Sequence, residues 1–237
     1  MPHATLDLTG RHVVVTGGAG ALGTPVVARL LAAGATCHVP CIDDGPGSRG
    51  LPGVDYSPRV ELTDESSAAA YYAALPDVWA SIHLAGGFAW AKLEDTTLAT
   101  VRAQLDMNAV TAFLCCREAV KKMRARKSGG DIGGRLINVS SRGGTRPDAG
   151  LSAYAMGKAA VTALTLGLAA ELRPESIWVN AIIPAIIDTP ANRAAMPESD
   201  FSRWAKPADI AETILFLASP SNAVTTGALV PVDGPTA

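Results

Sequence analysis

"HVVVTGGAGALGTPVVARLLAAG", residues 12–34, decides how the rest of the chain is read. Val13-Val14-Val15 is a short β-branched run of the kind that fills a buried strand. Residues 21–33 place apolar side chains at helical spacing and stop at Gly34. Between them lie Gly17, Gly18, Gly20 and Gly23, with too much backbone freedom for either element. Strand, glycine turn and helix in immediate succession open a βα unit. The alternation then continues. Strands are expected at 35–42, 59–62, 80–86, 135–141, 177–183 and 228–234. Helices are expected over 63–75, from about 95, over 100–126, over 152–172 and over 207–218, and 127–134 reads as a loop. Apolar strands alternating with helices predict an α/β fold whose mostly parallel sheet of seven strands is covered on both faces.

Composition narrows the function classes. The chain has 237 residues, 48% hydrophobic and 18% charged, with a formal net charge of −2, which suits one α/β domain spanning 1–237. No long basic run is present, which argues against a nucleic-acid surface driven by counterion release. The cations of 117–127 read as a solvated helix end. Cys37, Cys41, Cys115 and Cys116 form no CxxC and have no histidine-rich neighbour, so no metal site is expected and the thiols read as reduced. "MPHATLDLTGR" has no apolar signal core, and no stretch reaches 18 consecutive apolar residues. A soluble, cytoplasmic protein without a membrane partner is the expectation.

A glycine-rich turn between a strand and a helix is the setting that seats a dinucleotide pyrophosphate, because the helix supplies free N–H groups and partial positive charge. Gly18-x-Gly20-x-x-Gly23 matches that fingerprint, though such turns also occur as plain structure. Further on, "YAMGK" sets Tyr154 and Lys158 four residues apart on one face of a helix. Ser141 ends "RLINVSS" thirteen residues before Tyr154, and Asn108 sits in "DMNAVTAF". "VNAIIPAIIDTP" and "VDG" follow. In this order the set resembles the single-domain branch of the short-chain dehydrogenase/reductase family over essentially the whole chain.

The resemblance implies one doubly wound Rossmann domain and an NAD(P)-dependent interconversion of an alcohol and a ketone or aldehyde. It makes Tyr154 the general acid/base and gives Ser141 the substrate oxygen. Lys158 would hold the nicotinamide ribose, and Asn108 would order a water on the proton path. A free phenol titrates near ~10, too high for an efficient base at neutral pH. A Lys158 ammonium one turn away is therefore expected to lower the Tyr154 value. The resemblance also carries over cofactor contacts at Gly17, Gly18, Gly20, Ala21, Leu22, Gly23, Cys41, Glu61, Leu62, Ala85, Gly86, Pro184, Ile187 and Thr189.

Several positions depart from the family pattern. The loop has Ala21 where the middle glycine is usual, and fits instead the extended-branch spacing through Gly17, Gly20 and Gly23. Cofactor binding is expected to survive if Ala21 needs no positive φ. His83-Leu84-Ala85-Gly86 stands where Asn-Asn-Ala-Gly is common, and His83 reads as a buried, hydrogen-bonded histidine rather than a catalytic one. Pro184-Ala185 replaces Pro-Gly. At the end of the second strand, Cys41 takes the place of the acid typical of NAD enzymes, and Ile42 follows where NADP enzymes often have arginine. Asp43 and Asp44 disfavour a 2′-phosphate, so NAD is expected, with Arg49 as a residue that could rescue NADP.

Substrate and assembly are less legible. The lid, about 190–206, is short. Phe88 and Trp90 either line the mouth of the site or pack under that lid, and Trp204 either caps the pocket or sits at an interface. The helices expected over 100–126 and 152–172 resemble the pair that joins subunits in this family, with Gly157 and Gly167 permitting close approach, so a homotetramer or homodimer is expected. A catalytically idle dinucleotide-binding sensor or scaffold is the competing reading. An epimerase or dehydratase would ordinarily need a fuller substrate domain.

Overall fold

A computed structural model describes residues 6–126 and 133–235. In chain order the strands are β1 (His12–Thr16), β2 (Thr36–Pro40), β3 (Asp55–Ser57), β4 (Ala80–His83), β5 (Gly134–Val139), β6 (Ile177–Pro184) and β7 (Leu229–Val232). The α-helices are α1 (Gly23–Ala32), α2 (Glu65–Ala74), α3 (Leu98–Leu105), α4 (Thr111–Ala125), α5 (Arg142–Thr145), α6 (Ser152–Leu172), α7 (Pro190–Ala195) and α8 (Pro207–Ala218). The seven strands form one sheet in the order β3-β2-β1-β4-β5-β6-β7, and each pairing is parallel.

The valine run of β1 shows why the sheet is buried on both sides. Val13 and Val15 pack with Val26, Val27 and Leu30 of α1 and Ile210 and Ile214 of α8. Val14 points the other way, to Tyr72 of α2, Cys115 and Ala119 of α4 and Leu172 of α6. All three valines are fully buried. Period-2 side-chain alternation does this, and each buried valine contributes roughly 1.5–3 kcal/mol.

Three expectations change. The third strand is Asp55–Ser57 rather than 59–62. Its partners on β2 are fixed by register (His38↔Asp55, Val39↔Tyr56, Pro40↔Ser57), and the chain then meets Pro58 and turns through Arg59 at φ 57. The long helix expected over 100–126 is broken by a π-helical turn at Asp106–Val110, where the Thr111 hydroxyl donates to the Asp106 carbonyl at 3.0 Å. Such a turn inside a helix often marks a functional position, and this one carries Asn108. The loop expected over 127–134 lies outside the described residues except for 133 and 134, and Gly134 already begins β5. By contrast α6 and α8 occupy the expected 152–172 and 207–218.

Candidate active site

The carboxyl ends of β1, β4, β5 and β6 meet along one edge of the sheet, and strand order reverses between β1 and β4. Open α/β sheets bind ligands at such a point. The loop after β1 is the glycine turn. Gly17 adopts φ 67, with Ala85 N only 2.8 Å from where a Cβ would stand. A Cβ at Gly23 would overlap the Gly17 carbonyl and come within 2.6 Å of Gly18 Cα, so helix and turn are in contact there. Gly18 is pressed by the Val39 side chain, while Gly20 meets only the Gly17 carbonyl, at 3.0 Å. Ala21 is absent from the residues with positive φ, so alanine fits. No side chain caps α1 and no acid lies in its first turn. That leaves its amino end open to a pyrophosphate, and these residues fit a dinucleotide.

After β4, Gly86 lies close to two side chains. A Cβ there would stand 2.6 Å from Asn108 Oδ1 and 3.4 Å from Lys158 Nζ. The Asn108 amide grips this segment: its nitrogen donates to the carbonyls of Gly87 (3.1 Å) and Gln104 (2.9 Å), and its oxygen accepts from Gly87 N (3.2 Å). Gly157 lets α6 approach the Gln104 carbonyl of α3, where a Cβ would come within 2.7 Å.

After β5, Ser141 caps α5, its hydroxyl accepting from Gly143 N at 3.1 Å. Tyr154 and Lys158 project from α6. Lys158 is buried, and its ammonium donates to the Val139 carbonyl at 2.9 Å. The Ser140 hydroxyl bonds the Lys158 carbonyl at 2.9 Å and pins that turn of α6 to β5. Burial pushes the Lys158 ammonium down to about 8. Burial also raises Tyr154, and a hydrogen bond from Ser141 acts the other way. The expected lowering of Tyr154 by Lys158 is therefore not the dominant effect. Lys158 Nζ is 5.9 Å from the tyrosine ring centroid, and burial is the leading cause of the Tyr154 shift.

His83 is the buried histidine the sequence suggested. It sits in a chain of hydrogen bonds from Tyr72 through Ser81 (2.8 Å), His83 (2.9 Å) and Asn138 (2.8 Å) to Thr165 (2.9 Å). Asn138 gives its NH₂ to Thr165, so its oxygen must accept from His83 Nδ1–H, and Nε2 accepts from Ser81. Burial holds His83 neutral, pushed down to about 4. This network ties β4 to β5 and α6 beneath the site and replaces the bracing of the missing asparagine.

At the far end of the glycine loop, Cys41 is buried, and burial with the nearby Asp43 raises its thiol. Asp44 pairs with Arg59 at 2.6 Å. Arg49 Nη1 donates to the Ala19 carbonyl of the glycine loop at 3.3 Å. A cleft of about 580 Å³ is lined by Asp43, Asp44, Gly45, Pro46 and Gly47. Of the two residues expected at an adenine pocket, Glu61 accepts from Thr63 N and Oγ1, and Leu62 is buried.

Beyond β6, Pro184 pairs with Val232 and Ile187 bridges Ala205. Thr189 caps α7, its hydroxyl accepting from Asn192 N at 3.2 Å. Trp204 is buried against Phe201 rather than exposed at the pocket. Phe88 and Trp90 are 66% and 60% exposed, so neither is packed beneath residues 190–206. Sequence reading missed the two-hydrogen-bond Asp188–Arg193 pair (2.5 and 2.8 Å), whose guanidinium lies over the Phe201 ring. Its spacing follows no helical or strand period. Among the described residues no cluster of three or more His, Cys, Asp or Glu could hold a metal ion.

A family model described as Enoyl-(Acyl carrier protein) reductase matches residues 52–235. Galactitol 2-dehydrogenase of Rhizobium johnstonii is 33% identical over 249 residues, covering 95% of either chain. The 3-alpha-(or 20-beta)-hydroxysteroid dehydrogenase of Mycobacterium tuberculosis is 30% identical, covering 97% of this chain and 90% of its own. A solved structure titled short chain dehydrogenase/reductase family protein superposes with a TM-score of 0.84 at 30% identity, covering 96% of this chain and 97% of the other. A short-chain type dehydrogenase/reductase from Mycobacterium ulcerans gives 0.86 at 25% identity, with 97% and 90% covered.

Proposed function

The chain belongs to the short-chain dehydrogenase/reductase family, and from that premise we propose the role of each site residue. The protein is an NAD(P)-dependent oxidoreductase that interconverts an alcohol and a ketone or aldehyde. The observation that carries the residue assignment is the convergence at Gly86 of Asn108 and Lys158, with Tyr154 and Ser141 meeting at Gly143, where a Cβ would stand 3.4 Å from the tyrosine ring and 3.5 Å from Ser141 Oγ.

The glycine turn and the open end of α1 hold the pyrophosphate, and Ala85, Gly86, Pro184, Ile187 and Thr189 line the nicotinamide end. When bound, the nicotinamide cofactor supplies or accepts the hydride. Ser141 fixes the substrate oxygen by a hydrogen bond and shares the charge that develops there. Tyr154 donates its phenol proton to that oxygen in reduction and takes it back in oxidation. Lys158, lowered to about 8, exchanges protons near neutral pH and holds the ribose hydroxyls. Asn108 keeps the Gly86-Gly87 backbone in place beneath them.

We assign NAD as the cofactor: Asp43 and Asp44 line the cleft where a 2′-phosphate would sit, and Arg49 is engaged with the Ala19 carbonyl. The chain works as one catalytic domain in the cytoplasm and as a homodimer or homotetramer, its half-exposed Phe113 on α4 and Leu166 on α6 meeting a second copy. A fluorescence titration with NADH and NADPH tests the cofactor assignment, and NADH is expected to bind tighter. The reverse order overturns the reading of Asp43 and Asp44. Millimolar-weak binding of both contradicts the assigned cofactor site.

A further inference from the structure

Phe88 lies directly against the reacting tyrosine. Its ring meets Tyr154 edge-on, with centroids 5.0 Å apart at 67°, yet two thirds of its surface is open. Phe88 is held there by its own segment. Trp90 Nε1 donates to the Ala149 carbonyl at 3.1 Å, and Ala91 N donates to the Gly150 carbonyl at 3.0 Å. The indole packs so tightly on Gly150, itself at φ 82, that no Cβ would fit between them. The strip 88–91 is thus clipped to the residues that lead into α6, and its distance from Tyr154 is fixed by that helix.

Several polar groups of the neighbouring segments have partners within the chain. The Trp90 N–H is used on Ala149. In the lid, the Asn192 amide donates to Ile187 O at 2.8 Å, Thr189 accepts from Asn192 N, and Arg193 is bound by Asp188. Arg142, the neighbour of Ser141, faces Asp233 at 3.6 Å. Exposed Ile186 adds apolar surface where the chain leaves β6. A substrate carbon chain with a hydroxyl on every atom needs a partner for each hydroxyl, and the Phe88 ring supplies none.

We propose that the substrate is a secondary alcohol or ketone borne on, or next to, an apolar ring, with the ring face lying on Phe88 and the oxygen at Ser141 and Tyr154. This rests on the oxidoreductase reading. An aromatic wall favours a flat or alicyclic ring through area burial and CH–π contact, and it gives the hydroxyls of a polyol no hydrogen-bond partner.

The test uses the whole chain with whichever of NADH and NADPH it binds better, and two ketone classes: ring ketones such as 4-methylcyclohexanone and 2-tetralone, and a ketohexose. The ring ketones are expected to have a kcat/KM higher by about 100-fold or more. Phe88→Ala should raise KM for ring ketones about tenfold and change kcat less, and Phe88→Trp should restore KM. Cofactor affinity, measured by fluorescence on the same samples, reports the fold and the cofactor site separately. Preference for the ketohexose overturns the proposal and leaves the oxidoreductase reading standing, as does an unchanged ring-ketone KM in Phe88→Ala. Tight cofactor binding with no turnover of either class contradicts the oxidoreductase reading and removes this proposal with it.

Discussion

Lys158 is a residue whose burial costs the fold free energy. Its ammonium is buried and its value is pushed from 10.5 down to about 8. Below 8 the proton is bound in both states, and the full cost of burying the charge is present. Between 8 and 10.5 only the unfolded chain binds the proton, so stability rises with pH. Lys158→Met removes that dependence. Relative to wild type, the variant should gain more at pH 7 than at pH 10.5, by on the order of 3 kcal/mol. Urea unfolding at both pH values measures it, and parallel wild-type and variant curves across that window contradict it. The pairing of Tyr154 with Lys158 was legible in the sequence because residues four apart on a helix share a face. The direction of the Tyr154 shift was not. It depends on burial under elements distant in the chain, and no local spacing encodes that.

Among the elements, the βα unit that opens the sheet is the clearest. Its strand, turn and helix were legible because hydrophobic period and glycine content both change sharply at Gly17 and Gly23. Which glycine is indispensable was legible only in three dimensions. Gly23 packs onto Gly17 and Gly18, so Gly23→Ala must push α1 off the turn. That overpacking should cost about 1–3 kcal/mol and weaken NADH binding at least tenfold. Calorimetric unfolding and a fluorescence titration read the two effects. An unchanged NADH affinity contradicts the cradle geometry. The third strand and the long helix were misplaced for a related reason. Register against β2 selected Asp55–Ser57 over the more apolar 59–62, and the π turn at Asp106–Val110 has no signature in the spacing of apolar residues.

Across the whole molecule, four strand ends deliver four parts of one site: the glycine turn after β1, Gly86 after β4, Ser141 after β5 and the lid after β6. Beneath them the buried His83 network joins β4, β5 and α6, so the parts keep their spacing. The order of motifs along the chain made this assembly legible, since each motif closes a strand of the same parallel sheet. The lid's ion pair and the open Phe88 wall were not legible, because each depends on how distant loops meet. The proposed mechanism separates seating the pyrophosphate, assigned to the glycine-turn backbone, from proton donation to the substrate oxygen, assigned to the Tyr154 hydroxyl. Tyr154→Phe removes that hydroxyl and keeps the ring against Phe88. The direct test is the steady-state rate of ketone reduction by Tyr154→Phe alongside its NADH dissociation constant. The account predicts kcat lower by on the order of 10³-fold with NADH affinity within about threefold of wild type. Near-normal turnover in that variant would contradict it.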